Sequence, residues 1–138
     1  MTPRHVLVGV DGSGHARRAL ELGQMLARAL GDELVVVHAV GLLDRPGHTP
    51  VAAASHRDEI AKAFEQDWCA PLAGSDLPCR LLLRDGDPLS VLLALVEELD
   101  PRMVVVGHRG AGGHTQRLLG STSSQLLDRA VVPVVVVP

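Results

Sequence analysis

Gly107 and Gly110, then nine residues, then Gly120, Ser121, Thr122 and Ser123 are the residues whose types and spacing point to chemistry. They follow the apolar run Met103 to Val106 and open a segment of helical character, Ser121 to Ala130. Glycines let backbone N–H groups approach an anion closely. A helix start adds free N–H groups and the positive end of its dipole. Hydroxyls at 121–123 add further donors. This combination reads as a phosphate site. It is not a P-loop, which needs a lysine directly before its Ser/Thr. The only lysine is Lys62, and position 119 is Leu. The glycine spacing also differs from the dinucleotide fingerprint. A phosphate held by backbone dipoles and hydroxyls, without that lysine, suits retention better than rapid hydrolysis.

These residues must be positioned by strands and helices, and the chain alternates between the two. Residues 6–10, a β-branched run, and 34–40 read as buried strands, and residues 79–83, 102–106 and Val134–Val137 read as three further strands. Ser13 caps a helix over 13–30, with Ala16, Ala19, Leu20, Gly23, Leu26, Ala27 and Leu30 at helical spacing and Gly31 as its stop. Residues 41–54 read as loop and 55–72 as a second helix. Asp87 caps a third helix to residue 99, with Pro88 in its first position, and Ser121–Arg129 is the fourth. The pattern predicts an α/β fold: a Rossmann-like open sheet of five parallel strands with helices on both faces. Ligands of such sheets bind beyond the carboxyl ends of the strands, at the switch point. Asp11, residues 38–40 and the Gly107 loop all lie at such ends, so they are expected to converge on one crevice.

Beyond the glycine loop, four further landmarks occur in order: residues 6–13 with Asp11, residues 34–40, Gly86 to Pro88, and residues 133–137. Together with the spacing G-x2-G-x9-G-[ST], the chain resembles the universal stress protein family over nearly its whole length. The resemblance implies a single nucleotide-binding domain over residues 1–138 that takes ATP with Mg2+. It assigns Val10, Asp11, Ala39, Val40, Gly107, Arg109, Gly110, Gly113, Gly120, Ser121, Thr122 and Ser123 to the nucleotide. The backbone of Ala39 and Val40 would contact the base. Asp11 would lie beside the nucleotide, bonded near the ribose or holding the Mg2+; both alternatives stay open. Thr122 stands where the family often has an apolar residue, which leaves the backbone contacts intact.

Other residues weigh less. Asp11 is also a turn former ahead of the Ser13 cap. His38 ends a buried strand and is expected to bond to backbone. Arg109 and Arg117 flank the loop, where either neutralises phosphate or is simply exposed. His108 and His114 pose the same choice. Phe64 and Trp68, four apart, are expected to pack together over the sheet. No Ser-His-Asp, Cys-His or HExxH arrangement can be placed.

Composition bounds the function classes. The chain has 138 residues, is 46% hydrophobic, and contains one Phe, one Trp and no Tyr. Its core must be Val, Leu and Ala, and an aromatic platform for single-stranded nucleic acid is not expected. With net charge −3 and no basic stripe, nucleic-acid binding is not expected either. Cys69 and Cys79 have no metal spacing and read as reduced structural thiols. The N-terminus enters a strand almost at once, leaving no room for a signal peptide, and no run approaches the roughly 20 residues of a membrane span. A cytoplasmic protein is the expectation.

The leading function is an ATP-binding stress-response module without enzyme activity beyond very slow hydrolysis. The alternatives are a slow ATP hydrolase or adenylyl-transfer enzyme, and a non-nucleotide dimer module acting through protein partners. The apolar run 131–137, broken only by Pro133, predicts a homodimer through the C-terminal strand, with no chain after Pro138 to cover it. The sequence names neither the inducing stress nor a protein partner.

Overall fold

The computed structural model describes residues 4–41, 50–108 and 120–138. Among them five strands alternate with four α-helices: β1 His5–Gly9, α1 Gly14–Leu30, β2 Glu33–Val40, α2 Pro50–Ala63, β3 Cys79–Asp85, α3 Pro88–Leu99, β4 Met103–Gly107, α4 Ser121–Arg129 and β5 Val134–Val137. The strands form one parallel sheet in the order β3-β2-β1-β4-β5. The order reverses direction between β1 and β4, which is the switch point of an open α/β sheet.

Strand alternation divides the core into two layers. Val6, Val8, Leu34, Val36 and Val105 face one side, against Ala16, Ala19, Leu20, Ala27 and Phe64. Leu7, Val35, Val37, Val104 and Val106 face the other, against Leu89, Leu92, Leu95 and Leu126. Strands β1, β2 and β4 bury both faces and so read in sequence as apolar runs, whereas the edge strands β3 and β5 are largely exposed and half-buried respectively. Full burial of one such aliphatic side chain contributes about 1.5–3 kcal/mol.

Caps fix where the helices begin. Ser13 Oγ accepts from Ala16 N at 3.1 Å at the head of α1. Asp87 Oδ2 accepts from Ser90 N at 3.0 Å at the head of α3, with Pro88 just inside. Helix α1 lies close on β1 because Gly23 faces Val8: a Cβ there would stand 2.4 Å from Val8 Cγ2.

The second helix departs from the sequence expectation. It begins at Pro50, taking up residues that composition alone reads as loop, and proline suits a first helical position. Its end widens into one π-helical turn, Phe64–Trp68, before a short 3-10 turn, Ala70–Leu72. Strand β3 runs two residues beyond the expected end because Arg84 and Asp85 pair with Ala39 and Val40.

At the end of the sheet away from the switch-point mouth, Asp32 is 3% exposed. Its carboxylate accepts from Arg102 at 2.6 and 3.1 Å and from the Arg4 backbone N–H at 3.2 Å. The Arg102 guanidinium holds the Asp32 carboxyl below the usual carboxylate range, against the opposing effect of burial.

Candidate functional site

A cavity of about 410 Å3 opens at the carboxyl ends of β1, β2 and β4. Val10, Asp11, His38 and Ala39 form one part of its lining, and Gly107, Gly120, Ser121, Thr122 and Ser123 another. Pro88, Val91 and Leu92 of α3 add an apolar wall with Val37 and Val106. The volume lies within the range of small-molecule sites, about 300–1,000 Å3, and the mix of apolar walls and a few polar groups is typical of them.

The phosphate-like end is built around the junction of β4 and α4. Ser123 is 4% exposed, and its Oγ donates to Gly107 O at 2.8 Å. This bond pins the first turn of α4 to the end of β4 and commits the Ser123 hydroxyl proton to the backbone. Gly120 N donates to His108 O at 2.9 Å, which fixes the N-cap residue. The N–H groups of Ser121, Thr122 and Ser123 fall in the first helical turn, where no intrahelical acceptor exists. No acidic side chain occupies that turn. Gly107 is needed for space: a Cβ would stand 2.7 Å from His15 Cβ and 2.9 Å from Ala16 N. The end of β4 therefore packs directly on the start of α1.

Across the cavity, Val10 N donates to Val37 O at 2.9 Å and closes the β1–β2 ladder. Val10 O accepts from His38 Nδ1 at 2.7 Å. Asp11 Oδ1 accepts from Ser13 N at 3.0 Å, so the carboxylate also shapes the turn. Burial lowers the basicity of His38 and outweighs the support from the Val10 carbonyl and the Asp11 charge.

The structure thus brings together Val10, Asp11, Ala39, Gly107, Gly120, Ser121, Thr122 and Ser123. Val40 is outside the lining; it is 2% exposed and its carbonyl accepts from Gly86 N at 3.2 Å. Arg109, Gly110 and Gly113 lie outside the described residues, as do Arg117 and His114. Sequence reasoning missed the α3 wall, although the Asp87 cap and Pro88 place that helix start beside the strand ends. His38, expected both at the crevice and as a backbone partner, does both: it bonds to Val10 O and lines the cavity. Among the described residues no group of three or more His, Cys, Asp and Glu forms a metal cluster.

The sequence profile of the universal stress protein family matches residues 2–138. The chain belongs to the universal stress protein family. A universal stress protein of Mycobacterium tuberculosis, Rv2005c, is 34% identical over 144 residues, covering 97% of this chain and 46% of the relative. The chain thus spans about half the length of the mycobacterial relatives it matches first. A universal stress protein of Thermus aquaticus is 31% identical over 135 residues, with 96% of each chain covered. Among solved structures, a universal stress protein family member of Arabidopsis thaliana with AMP bound superposes with TM-score 0.67 at 21% identity, covering 98% of this chain and 91% of that one. That likeness establishes the shared fold.

Chemically, this universal stress protein cavity offers dipolar N–H donors at one end, an apolar wall, and a carboxylate turn opposite. It can hold a small anion-bearing ligand. Mg2+ is normally bound through one or two carboxylates together with substrate phosphates, and the Asp11 carboxylate is in the lining of the same cavity as the start of α4.

Proposed function

We propose that this cavity binds ATP with Mg2+ and that the protein acts as a nucleotide-dependent binding module. The observation that carries the proposal is the first turn of α4, free of acidic side chains and pinned to β4 by the Ser123–Gly107 bond at the switch-point cavity. The glycine-rich segment before it adds donors on the sequence evidence. Phosphates sit at the N–H groups of residues 121–123. The base and sugar lie toward α3 and the strand ends, with the backbone of Ala39 and Val40 toward the base and Asp11 beside the ribose or the Mg2+. The AMP bound to the Arabidopsis family member supports an adenine nucleotide.

Occupancy stabilises the fold and biases whatever surface differs between the filled and empty states, by no more than the ligand's differential affinity. The family has a stress-response name, and the partner that reads this state is set by chemistry outside the cavity. Hydrolysis stays far below the roughly 10 per second typical of enzymes, because no lysine stands before the hydroxyls of residues 121–123 as it does in a P-loop and Asp11 is already engaged with Ser13. Release of phosphate over many turnovers at that ordinary rate would refute this part of the reading.

Gly120→Asp tests the site directly. Aspartate is a better N-cap than glycine by a few tenths of a kcal/mol, so thermal stability is expected to hold or rise. Its carboxylate would stand about 5 Å from the phosphates, costing about 3 kcal/mol at an effective dielectric near 20. Calorimetry should report ATP–Mg2+ affinity weakened by roughly a hundredfold. Unchanged affinity in a well-folded Gly120→Asp protein would place the phosphates elsewhere.

A further inference from the structure

Behind the turn that carries Asp11 stand three aromatic rings. His38 and Trp68 meet edge to face, with centroids 4.8 Å apart and planes at 85°. Phe64 lies 6.3 Å from His38 and 6.2 Å from Trp68. Phe64 and Trp68 come from the single π-helical turn after α2. Such widened turns are frequent at functional sites.

This cluster grips the turn from two sides. Val10 follows the last residue of β1 and bonds to β2 through its N–H, and the β1–β2 pairing ends at Gly9. The Val10 carbonyl accepts from His38 Nδ1 at 2.7 Å. A carbonyl only accepts, so Nδ1 carries the proton. Gly12 follows with φ +85°, and a Cβ built on it would stand 2.7 Å from Trp68 Cζ2 and 2.8 Å from Cε2. The indole is therefore packed against the Gly12 backbone. Between these two holds, Asp11 accepts from Ser13 N and lines the cavity.

We propose that His38 and Trp68 are positioning residues: by bonding Val10 O and packing under Gly12 they fix the Val10–Ser13 turn that presents Asp11 to the nucleotide. The proposal rests on the nucleotide reading of the cavity. Neither residue needs to touch the ligand for this role. The lowered basicity of the part-buried imidazole keeps it neutral near pH 7, with its one N–H committed to Val10.

The test compares His38→Leu, which has no donor, with His38→Asn, whose Nδ2–H lies the same number of bonds from Cβ as Nδ1–H. Two quantities are measured in each: amide hydrogen exchange of Ser13, and ATP–Mg2+ affinity by calorimetry. Removing one partner of a part-buried hydrogen bond is expected to speed Ser13 exchange and to weaken affinity by about tenfold each in His38→Leu. His38→Asn should restore both to within about threefold. A general loss of packing would not be rescued by the smaller Asn. Unchanged Ser13 exchange or unchanged affinity in His38→Leu overturns the proposal, and so does equal loss in both variants. If His38→Leu fails to fold by circular dichroism, Gly12→Ala probes the second hold. Its methyl must displace Trp68, and parent-like exchange and affinity in that variant overturn the proposal. Absence of ATP binding in the unaltered protein overturns the nucleotide reading alone, and Ser13 exchange then decides the clamp.

Discussion

Single atoms decide several contacts in this protein. Gly23 is one: the missing Cβ lets α1 sit on Val8, whose branched side chain is buried and stiff at χ1. Two effects of Gly23→Ala compete. Alanine gains up to about 1 kcal/mol of helix propensity. Overpacking a tight contact costs about 1–3 kcal/mol, and at a 2.4 Å approach to Val8 Cγ2 it wins. We expect a net loss of about 1–2 kcal/mol, read as a fall in Tm of roughly 3–8 °C. A Tm at or above the parent's would mean that α1 moves off the sheet at little cost. Ser123 acts at the same scale but was read differently in sequence. Its hydroxyl counted there as a phosphate donor, and the structure spends it on Gly107 O, sixteen residues away. No local pattern distinguishes those two uses.

At the scale of elements, the Asp32 cluster ties β2 to β4 and to the start of β1. Asp32 sits just before β2, Arg102 just before β4 and Arg4 just before β1. Because Arg102 lowers the folded-state pKa of Asp32, the unfolded chain binds the proton more readily than the native one. The stabilisation is therefore present above the unfolded pKa, about 3.9, and is lost as pH falls through the lower folded value. Asp32→Asn should be less stable than the parent in urea at neutral pH. The gap should narrow as pH drops below about 4. A gap that stayed constant from neutral to strongly acidic pH would assign the effect to shape and not to charge. Element starts such as Asp87 and Ser13 were legible because caps are local. The π-helical turn was not, because Phe64 and Trp68 are four apart in either helical form; in the structure both rings lie against His38.

For the whole molecule, the sheet order leaves β5 at one edge, bonded to β4 alone among the described residues. Its four valines are only half-buried, and Val131 just before it is 88% exposed. An apolar edge with unpaired N–H and C=O groups favours pairing with another chain. A two-fold axis would pair β5 with its own copy, antiparallel, and close the assembly. We therefore expect a homodimer at micromolar concentration, and a shift to monomer on Val135→Lys. Light scattering that gives a monomer for the unaltered protein would refute the β5 interface. No helix of the described residues is long and apolar enough to cross a membrane.

The order of elements, the parallel sheet and the two-layer core were readable from the chain, because alternation, capping and turn residues act over a few positions. The switch-point rule also anticipated that Asp11, Ala39, Gly107 and residues 120–123 would meet, since strand ends gather whatever the intervening sequence. The tertiary structure alone decided how those ends are finished. It turned the His38 ring onto Val10 O across 28 residues, drew the start of α3 in as the apolar wall, and left Val40 bonded to Gly86 outside the cavity. Each of those outcomes depends on which atoms of distant elements come within hydrogen-bond or packing distance. Periodicity and propensity carry no record of that, because the same side chain satisfies them whichever partner it finally meets.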